Sequence, residues 1–424
     1  MDFTFIHAAD LHLDSPLLGL AGYERAPVKK IRNATRKALD RLVELACEEK
    51  AAFIVIAGDL YDGDLKDYNT ALFLQSRLSR LKQQGIKVYL ALGNHDAQTR
   101  ITKKLKLPDN TFVFASKKPE TFTLPDLPVA LHGQSYGHSA VDKNLSSSYP
   151  QALDDLINIG VLHTALSGRQ GHEPYAPCSL SDLLQKGYDY WALGHVHAGE
   201  IVHEEPWIIF SGCAQGRNIR ETGTKGCFVV KVEGKSLTPE FVTLDSVRWQ
   251  VCRIEATGLK SPEQVLEKTA KKAEKLMEEN QGQVLGLRVE ITGQTPAHGE
   301  LNQNPERWHN ELRSLVADVT SEQAWVEKII LKTAAPLSLE TLLAEDPLAA
   351  GLVEFTDQLI NGREPEALAE ITRQIEPLAA KLPGDLNKPP YELDLEDPTL
   401  MSGRLLLARD LILEKLNQQI KGGK

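Results

Sequence analysis

The chain carries no paired-cysteine motif. Cys47, Cys178, Cys213, Cys227 and Cys252 are scattered and form no C-x-x-C. Their spacing excludes a structural thiolate zinc site and predicts reduced thiols, mostly small buried hydrophobes, in a cytoplasmic protein. No apolar run approaches the roughly 18 residues that a membrane span needs, so no membrane is expected among its partners. The opening MDFTFIHAADLHLD has acids and no basic segment, and does not read as a secretory signal. A positive surplus is missing too: 48 Lys+Arg stand against 58 Asp+Glu, a net charge of −10. Such a chain is a poor generic binder of phosphate backbones. That counts against bulk coating of nucleic acid but not against an enzyme whose grip is local. Internal repeats and low-complexity tracts are absent.

What is present is an ordinary globular composition, 42% hydrophobic and 25% charged, over 424 residues, a length that predicts two or three domains. Residues 1–250 hold 28 Lys+Arg against 29 Asp+Glu and residues 341–424 hold 9 against 15, so most of the acidic surplus sits at the end of the chain. Across the first 250 residues strands alternate with helices. Apolar runs predict strands at FTFIHAA (3–9), AAFIVIAG (51–58), KVYLALG (87–93), VALHG (129–133), NIGVLHT (158–164), YDYWALGH (188–195), PWIIFSG (206–212) and GCFVVKV (226–232). Helical periodicity covers 28–49 and 68–84, the second stopped by Gly85. This is an α/β pattern, and ligand sites in such sheets lie at the carboxyl ends of strands.

From about 249 the pattern restarts as β-α-β-α-β: WQVCRIEAT, PEQVLEKTAKKAEKLMEEN, VLGLRVEIT, PERWHNELRSLVADV, AWVEKIILKT. After AAPLS (334–338) come helical stretches, a Pro-rich break, and a last helix over 397–420. Leu405, Leu406, Ala408, Leu411, Ile412, Leu413, Leu416 and Ile420 give that helix an apolar face wider than a surface helix needs.

The chemistry-bearing residues gather at five strand ends: Asp10 and His12; Asp59; Asn94, His95 and Asp96; His163; His195 and His197. An extended chain would put Asp10 and His12 on one face. Gly58, Gly93 and Gly194 precede three of the clusters, where a glycine lets the backbone approach a ligand closely. Each cluster alone reads as a turn or a strand edge. Five in one α/β domain read as a site. The donors are carboxylate, imidazole and amide, a set that suits manganese, iron, zinc or magnesium. They outnumber what one ion needs, and two ions sharing a carboxylate would use them all. His7, His132, His138, His172 and His203 lack this setting and are expected to be structural or solvent-facing.

The order D-x-H, G-D, G-N-H-D, H, G-H-x-H within residues 6–199 resembles the calcineurin-like metallophosphoesterase superfamily. DLHLDSPL, GDLYD, GHVH and GRNIRETGTKGC look most like its bacterial DNA-repair exonuclease branch, of SbcD and YhaO type. The resemblance implies a β-sandwich flanked by helices over residues 1–248, a small β-α-β-α-β capping domain over 249–335, and a linker with partner-binding helices over 336–424. It implies two divalent ions, manganese first among them. Asp10, His12, Asp59 and His197 would hold one, and Asp59, Asn94, His163 and His195 the other, with Asp59 as the bridge. His95 would stabilise or protonate the leaving oxygen, and Asp96 would fix either the loop or the tautomer of His95. Implied partners are DNA and an SbcC-type coiled-coil ATPase, with a second copy of the chain as a further candidate.

Two departures bear on activity. Protein phosphatases of the superfamily carry Arg after the second acid of G-D-x-x-D, whereas here Asp62 precedes Gly63. Archaeal and eukaryotic relatives of the nuclease carry His where Asp62 stands. Basic runs at 25–41 and 97–118 adjoin two metal loops, and Lys103, Lys104, Arg217 and Arg220 are the expected substrate contacts. Three functions compete: a metal-dependent DNA nuclease, a small-molecule phosphodiesterase or phosphatase on the same metals, and a structural subunit. The complete ligand set weighs against the third. The extra domain and helical tail weigh against the second.

Overall fold

The computed structural model describes residues 2–15, 27–62, 68–98, 106–166, 175–336, 346–379 and 397–422. Two six-stranded mixed sheets dominate the first 250 residues. One runs in the order Ser236–Thr243, Gly226–Glu233, Phe3–Ala8, Phe53–Ala57, Lys87–Ala91, Thr111–Val113. The other runs Glu120–Thr123, Val129–Gly133, Ile157–His163, Tyr190–Gly194, Trp207–Phe210, Glu200–Glu204. Within each, the central strands pair in parallel and the flanking hairpins are antiparallel. Strands buried on both faces need no polar alternation, which is why they read as continuous apolar runs.

Alternate residues of those strands divide between two cores. Phe5, Phe53, Val55, Tyr89 and Ala57 meet Leu131, Ile159, Val161, Tyr190 and Ala192 between the sheets. Ile6, Ile54, Ile56, Val88 and Leu90 face the helices Ala34–Glu48 and Tyr68–Gln83. Trp191, Leu193, Leu162 and Phe210 line the far face of the second sheet against Tyr149, Tyr188 and Leu183. The result is the sandwich flanked by helices that the motifs imply.

The helix expected over 28–49 is interrupted. It forms as Val28–Arg32 and Ala34–Glu48, with Asn33 at φ −88 and ψ 0 between them. Ile31 and Ala34, on either side of the break, pack in one cluster with Val247, Trp249 and Trp325. Two cations of the 25–41 run are spent structurally: Arg36 pairs with Asp14, and Arg41 donates to the carbonyls of Leu244 and Asp245.

His7 is fully buried, with Nδ1 beside the Tyr190 hydroxyl at 3.0 Å and Nε2 beside the Leu193 carbonyl at 3.2 Å. Burial pushes its pKa down to about 3, so the imidazole stays neutral and satisfied. His132 likewise meets Thr121 and Asn158. Both are structural, as expected.

A three-stranded sheet, Val247–Glu255, Val284–Gln294 and Ala324–Ala334, carries the helices Pro262–Glu278 and Pro305–Val319 in the β-α-β-α-β order. By packing, the chain divides into two compact units. One is Met1–Cys252 with Thr269–Glu290 and Glu311–Ile330; the other is Arg253–Lys268 with Ile291–Asn310 and Leu331–Lys424. Residues 249–335 thus contribute to both. In the second unit the helices Pro347–Ile360 and Pro398–Gly422 pack through Ala349, Leu352, Val353, Leu413 and Leu416. Leu413 is fully buried while Leu411 and Ile412 are 60% and 46% exposed, so among the described residues only part of the apolar face is used. No helix among the described residues is long and apolar enough to cross a membrane.

Candidate metal centre

Three neighbouring parallel strands of the first sheet end in Asp10 and His12, in Asp59, and in Asn94–His95–Asp96. Two neighbouring parallel strands of the second sheet end in His163 and in His195 with His197. The chain does not stay extended at Asp10-x-His12: both residues, with Asp59 and His195, have positive φ, at 50°, 43°, 52° and 96°. Left-handed backbone at non-glycine residues stores strain, and such strain collects at functional sites. Here it curls the loops inward. Asp10 and His12 donate their backbone N–H to the carbonyls of Gly58 and Asp59 at 2.9 and 3.0 Å, tying the first two loops together.

The side chains converge. His12 Nε2 lies 3.2 Å from His197 Nε2 and 3.9 Å from Asp59 Oδ2. Asp10 Oδ1 lies 4.0 Å from His197 Nε2. Asp59 Oδ2 is 3.4 Å from His163 Nε2, which sits 2.9 Å from Asn94 Oδ1. The His195 ring stands 5.2 Å from that of His163, and its backbone N–H donates to Asp10 Oδ2 at 2.9 Å. Three overlapping groups therefore have donor atoms close enough to meet a cation: Asp10, His12 and His197; Asp10, Asp59 and His163; and His12, Asp62 and His95. Lys103 and Lys104 lie outside the described residues.

The residues fit divalent ions. Asp10 Oδ1 is buried with no hydrogen-bond partner among the described residues, an arrangement that is costly unless a cation meets the oxygen. Two imidazole Nε2 atoms face each other across 3.2 Å, a spacing natural to lone pairs aimed at a shared cation. Burial pushes the Asp10 carboxyl up to about 6. Burial pulls His163 down, but the Asp59 carboxylate outweighs it and raises the imidazole to about 9. Burial also works against the Asp59 charge, yet His163 and His12 hold that carboxyl well below the ordinary range.

In the third group, His95 Nδ1 donates to Asp62 Oδ1 at 2.9 Å, and this bond raises the His95 pKa. The His95 side chain is 36% exposed, unlike the fully buried His163. Asp96 does not take the tautomer role. It is buried, and its carboxylate accepts the N–H groups of Leu60, Tyr61 and Gly93 at 3.1, 3.0 and 3.0 Å, so it fixes the loops. Burial and the Asp59 charge raise it to about 7. The Arg217 guanidinium lies among acids, with Asp62 at 3.2 Å and Glu221 at 2.8 Å. Arg220 is exposed. Glu221 escapes sequence reasoning altogether, although it stands 2.8 Å from His197 Nδ1.

The calcineurin-like phosphoesterase family matches residues 3–199, and the middle domain of metallophosphoesterase YhaO matches residues 249–334. The uncharacterized metallophosphoesterase YhaO of Bacillus subtilis is 33% identical over 84% of this chain and 88% of its own. The chain belongs to the calcineurin-like metallophosphoesterases. The DNA double-strand break repair protein Mre11 of Methanopyrus kandleri is 24% identical over 80% of this chain and 75% of its own. A solved dimetal phosphatase from Danio rerio matches 57% of the chain and 98% of its own at 12% identity, with a TM-score of 0.35, a likeness too slight to build on.

Membership makes this metallophosphoesterase a metal-dependent phosphoesterase, with its candidate ligands at the strand ends. Gly93 shows how tightly such a centre is built. A Cβ there would lie 2.3 Å from Asp59 Oδ1 and 2.9 Å from His163 Cε1. Gly93→Ala is expected to displace the Asp59 carboxylate and lower metal-dependent hydrolysis by about 100-fold, the scale of a 1 Å misplacement. Hydrolysis of bis-p-nitrophenyl phosphate with Mn²⁺, beside a thermal melt, checks it. Unchanged turnover would mean that the carboxylate tolerates the shift.

Proposed function

We propose that the chain is a two-metal-dependent DNA nuclease, an exonuclease of a DNA-repair complex, with manganese as the first ion to test. The observation that carries the reading is the convergence of donors from both sheets on Asp59, together with the likeness to a DNA double-strand break repair protein along most of the chain. Asp10, His12, Asp59 and His197 would hold one ion and Asp59, Asn94, His163 and His195 the other. When bound, the ions would polarise the phosphodiester and activate a water for attack. The chain's own residues do the rest. Asp59 presents one carboxylate oxygen to His163 and to His12, Asp96 pins the loops that carry Asp59 and His95, and Asp62 holds His95 by Nδ1. That hydrogen bond favours the charged imidazole, the state from which His95 gives a proton to the leaving oxygen. Arg220 and the Lys103–Lys104 pair would meet the DNA backbone.

The test sets labelled duplex and single-stranded DNA against bis-p-nitrophenyl phosphate, each with Mn²⁺ and with chelator. Degradation of DNA from its ends, abolished by chelator, is expected. Hydrolysis of the small diester with DNA left whole would overturn the nuclease reading in favour of a small-molecule phosphodiesterase.

Residues 1–248 serve in this reading as the nuclease domain, 249–335 as the capping domain, and 336–424 as the part that docks a cytoplasmic SbcC-type ATPase. Exposed Leu406, Leu407, Leu411 and Ile412 offer the apolar contact. Deleting residues 390–424 is expected to abolish co-purification with a co-expressed SbcC-type subunit while metal-dependent cleavage of simple DNA ends persists. A truncated protein that aggregates would show instead that the helix is core.

A further inference from the structure

The metal side and the proton side of the centre are joined by a continuous chain of polar contacts. His197 Nδ1 lies 2.8 Å from Glu221 Oε1. Glu221 is gripped by Arg217 three ways: through Nη2 at 2.8 Å, through Nε at 3.2 Å, and through the backbone N–H at 2.7 Å. The same guanidinium reaches on through Nη1 to Asp62 Oδ2 at 3.2 Å. Asp62 Oδ1 in turn takes the N–H of His95 Nδ1 at 2.9 Å. The Glu221 and Arg217 side chains are only 8% and 15% exposed, so the contacts are shielded from water.

We infer that Glu221 and Arg217 are positioning residues: Glu221 fixes the tautomer and direction of His197, and Arg217 locks Glu221 and Asp62 in one frame. The inference rests on the metal-dependent reading of the centre. A carboxylate that accepts from Nδ1 leaves the Nε2 lone pair for a cation, and such partners orient ligands and raise their basicity. A planar guanidinium can serve two carboxylates at fixed angles, which a lysine ammonium cannot do. Arg217 therefore holds His95 through Asp62 and His197 through Glu221, with its own Nη2 3.3 Å from His197 Nδ1 beside the shorter 2.8 Å contact to Glu221. The sequence-based expectation of Arg217 on the DNA backbone gives way to this role, because Glu221 and Asp62 already engage its guanidinium.

Calorimetric titration of the full chain with Mn²⁺ alone tests it, with Glu221→Ala, Glu221→Gln, Arg217→Ala and Arg217→Lys beside the wild type and thermal melts for each. Glu221→Ala should weaken one of the two ions by roughly 10- to 100-fold and leave the other at its wild-type affinity. Glu221→Gln keeps an oxygen for His197 and should retain part of that affinity. Arg217→Ala and Arg217→Lys should both weaken the same ion and also lower kcat on bis-p-nitrophenyl phosphate, with KM for DNA little changed. Wild-type affinity at both sites in Glu221→Ala would overturn the inference while the metal-dependent reading stands. A raised KM for DNA in Arg217→Ala, with metal affinity and kcat intact, would return Arg217 to the substrate. A wild-type protein that binds no Mn²⁺ would remove both the inference and the dimetal reading.

Discussion

Asp59→Asn is expected to empty both metal sites. One oxygen of Asp59 faces His163 at 3.4 Å and His12 at 3.9 Å, so a single atom lies beside a histidine of each expected metal site. Its other oxygen accepts the backbone N–H of His95 at 3.0 Å, which keeps the carboxylate from rotating away. Asparagine has the same shape, so the packing survives. It lacks the charge, and its amide nitrogen would repel a cation. The affinity for both ions should fall by more than ~100-fold, beyond the loss typical of an outer partner, and hydrolysis should fall to background. Metal analysis after equilibrium dialysis against Mn²⁺, followed by single-turnover cleavage, measures both. Wild-type metal content in the variant would sink the bridging role.

His95→Asn should do the reverse, keeping the ions and losing the chemistry. The contact of His95 with Asp59 is made by its backbone N–H, which the substitution leaves in place. The imidazole itself is turned to Asp62 and is partly exposed, where a substrate can reach it. A positioned proton donor is typically worth about 10²–10⁴-fold, and that is the expected drop in turnover at unchanged Mn²⁺ content. Full metal-dependent phosphodiester hydrolysis in this variant would end the proton-donor assignment.

How much of this was legible in the sequence depended on what each segment buries. The eight strands expected from apolar runs all form. The four passed over, Thr111–Val113, Glu120–Thr123, Glu200–Glu204 and Ser236–Thr243, are the four outer edges of the two sheets. These edge strands are partly exposed, two of them only three and four residues long and the longest, Ser236–Thr243, carrying Pro239, so their composition gives no continuous apolar signal. The donors were legible because each follows a strand directly. Their backbone was not: nothing in D-L-H announces two left-handed residues, and alternation along a strand applies only to an extended chain, which Asp10 and His12 do not form. Glu221 was hidden for a different reason. It stands 24 residues after His197, and no helical or strand period links the two. Asp62 drew notice only as a departure from relatives, although it holds His95.

The allocation of the donors has a consequence for the protein as a material. Asp10, His12, Asp59 and Asn94 hang from one sheet and His163, His195 and His197 from the other. Ions held among them would clasp the two layers of the sandwich, joining segments up to 187 residues apart, from Asp10 to His197. Because the unfolded chain cannot gather such donors, metal binding draws on the folded state alone and adds about 2.7 kcal/mol per site at a hundred times Kd. Resistance to unfolding then becomes a gauge of the divalent cations around the molecule, and scarcity of the ion loosens the scaffold at the same moment that it silences the chemistry.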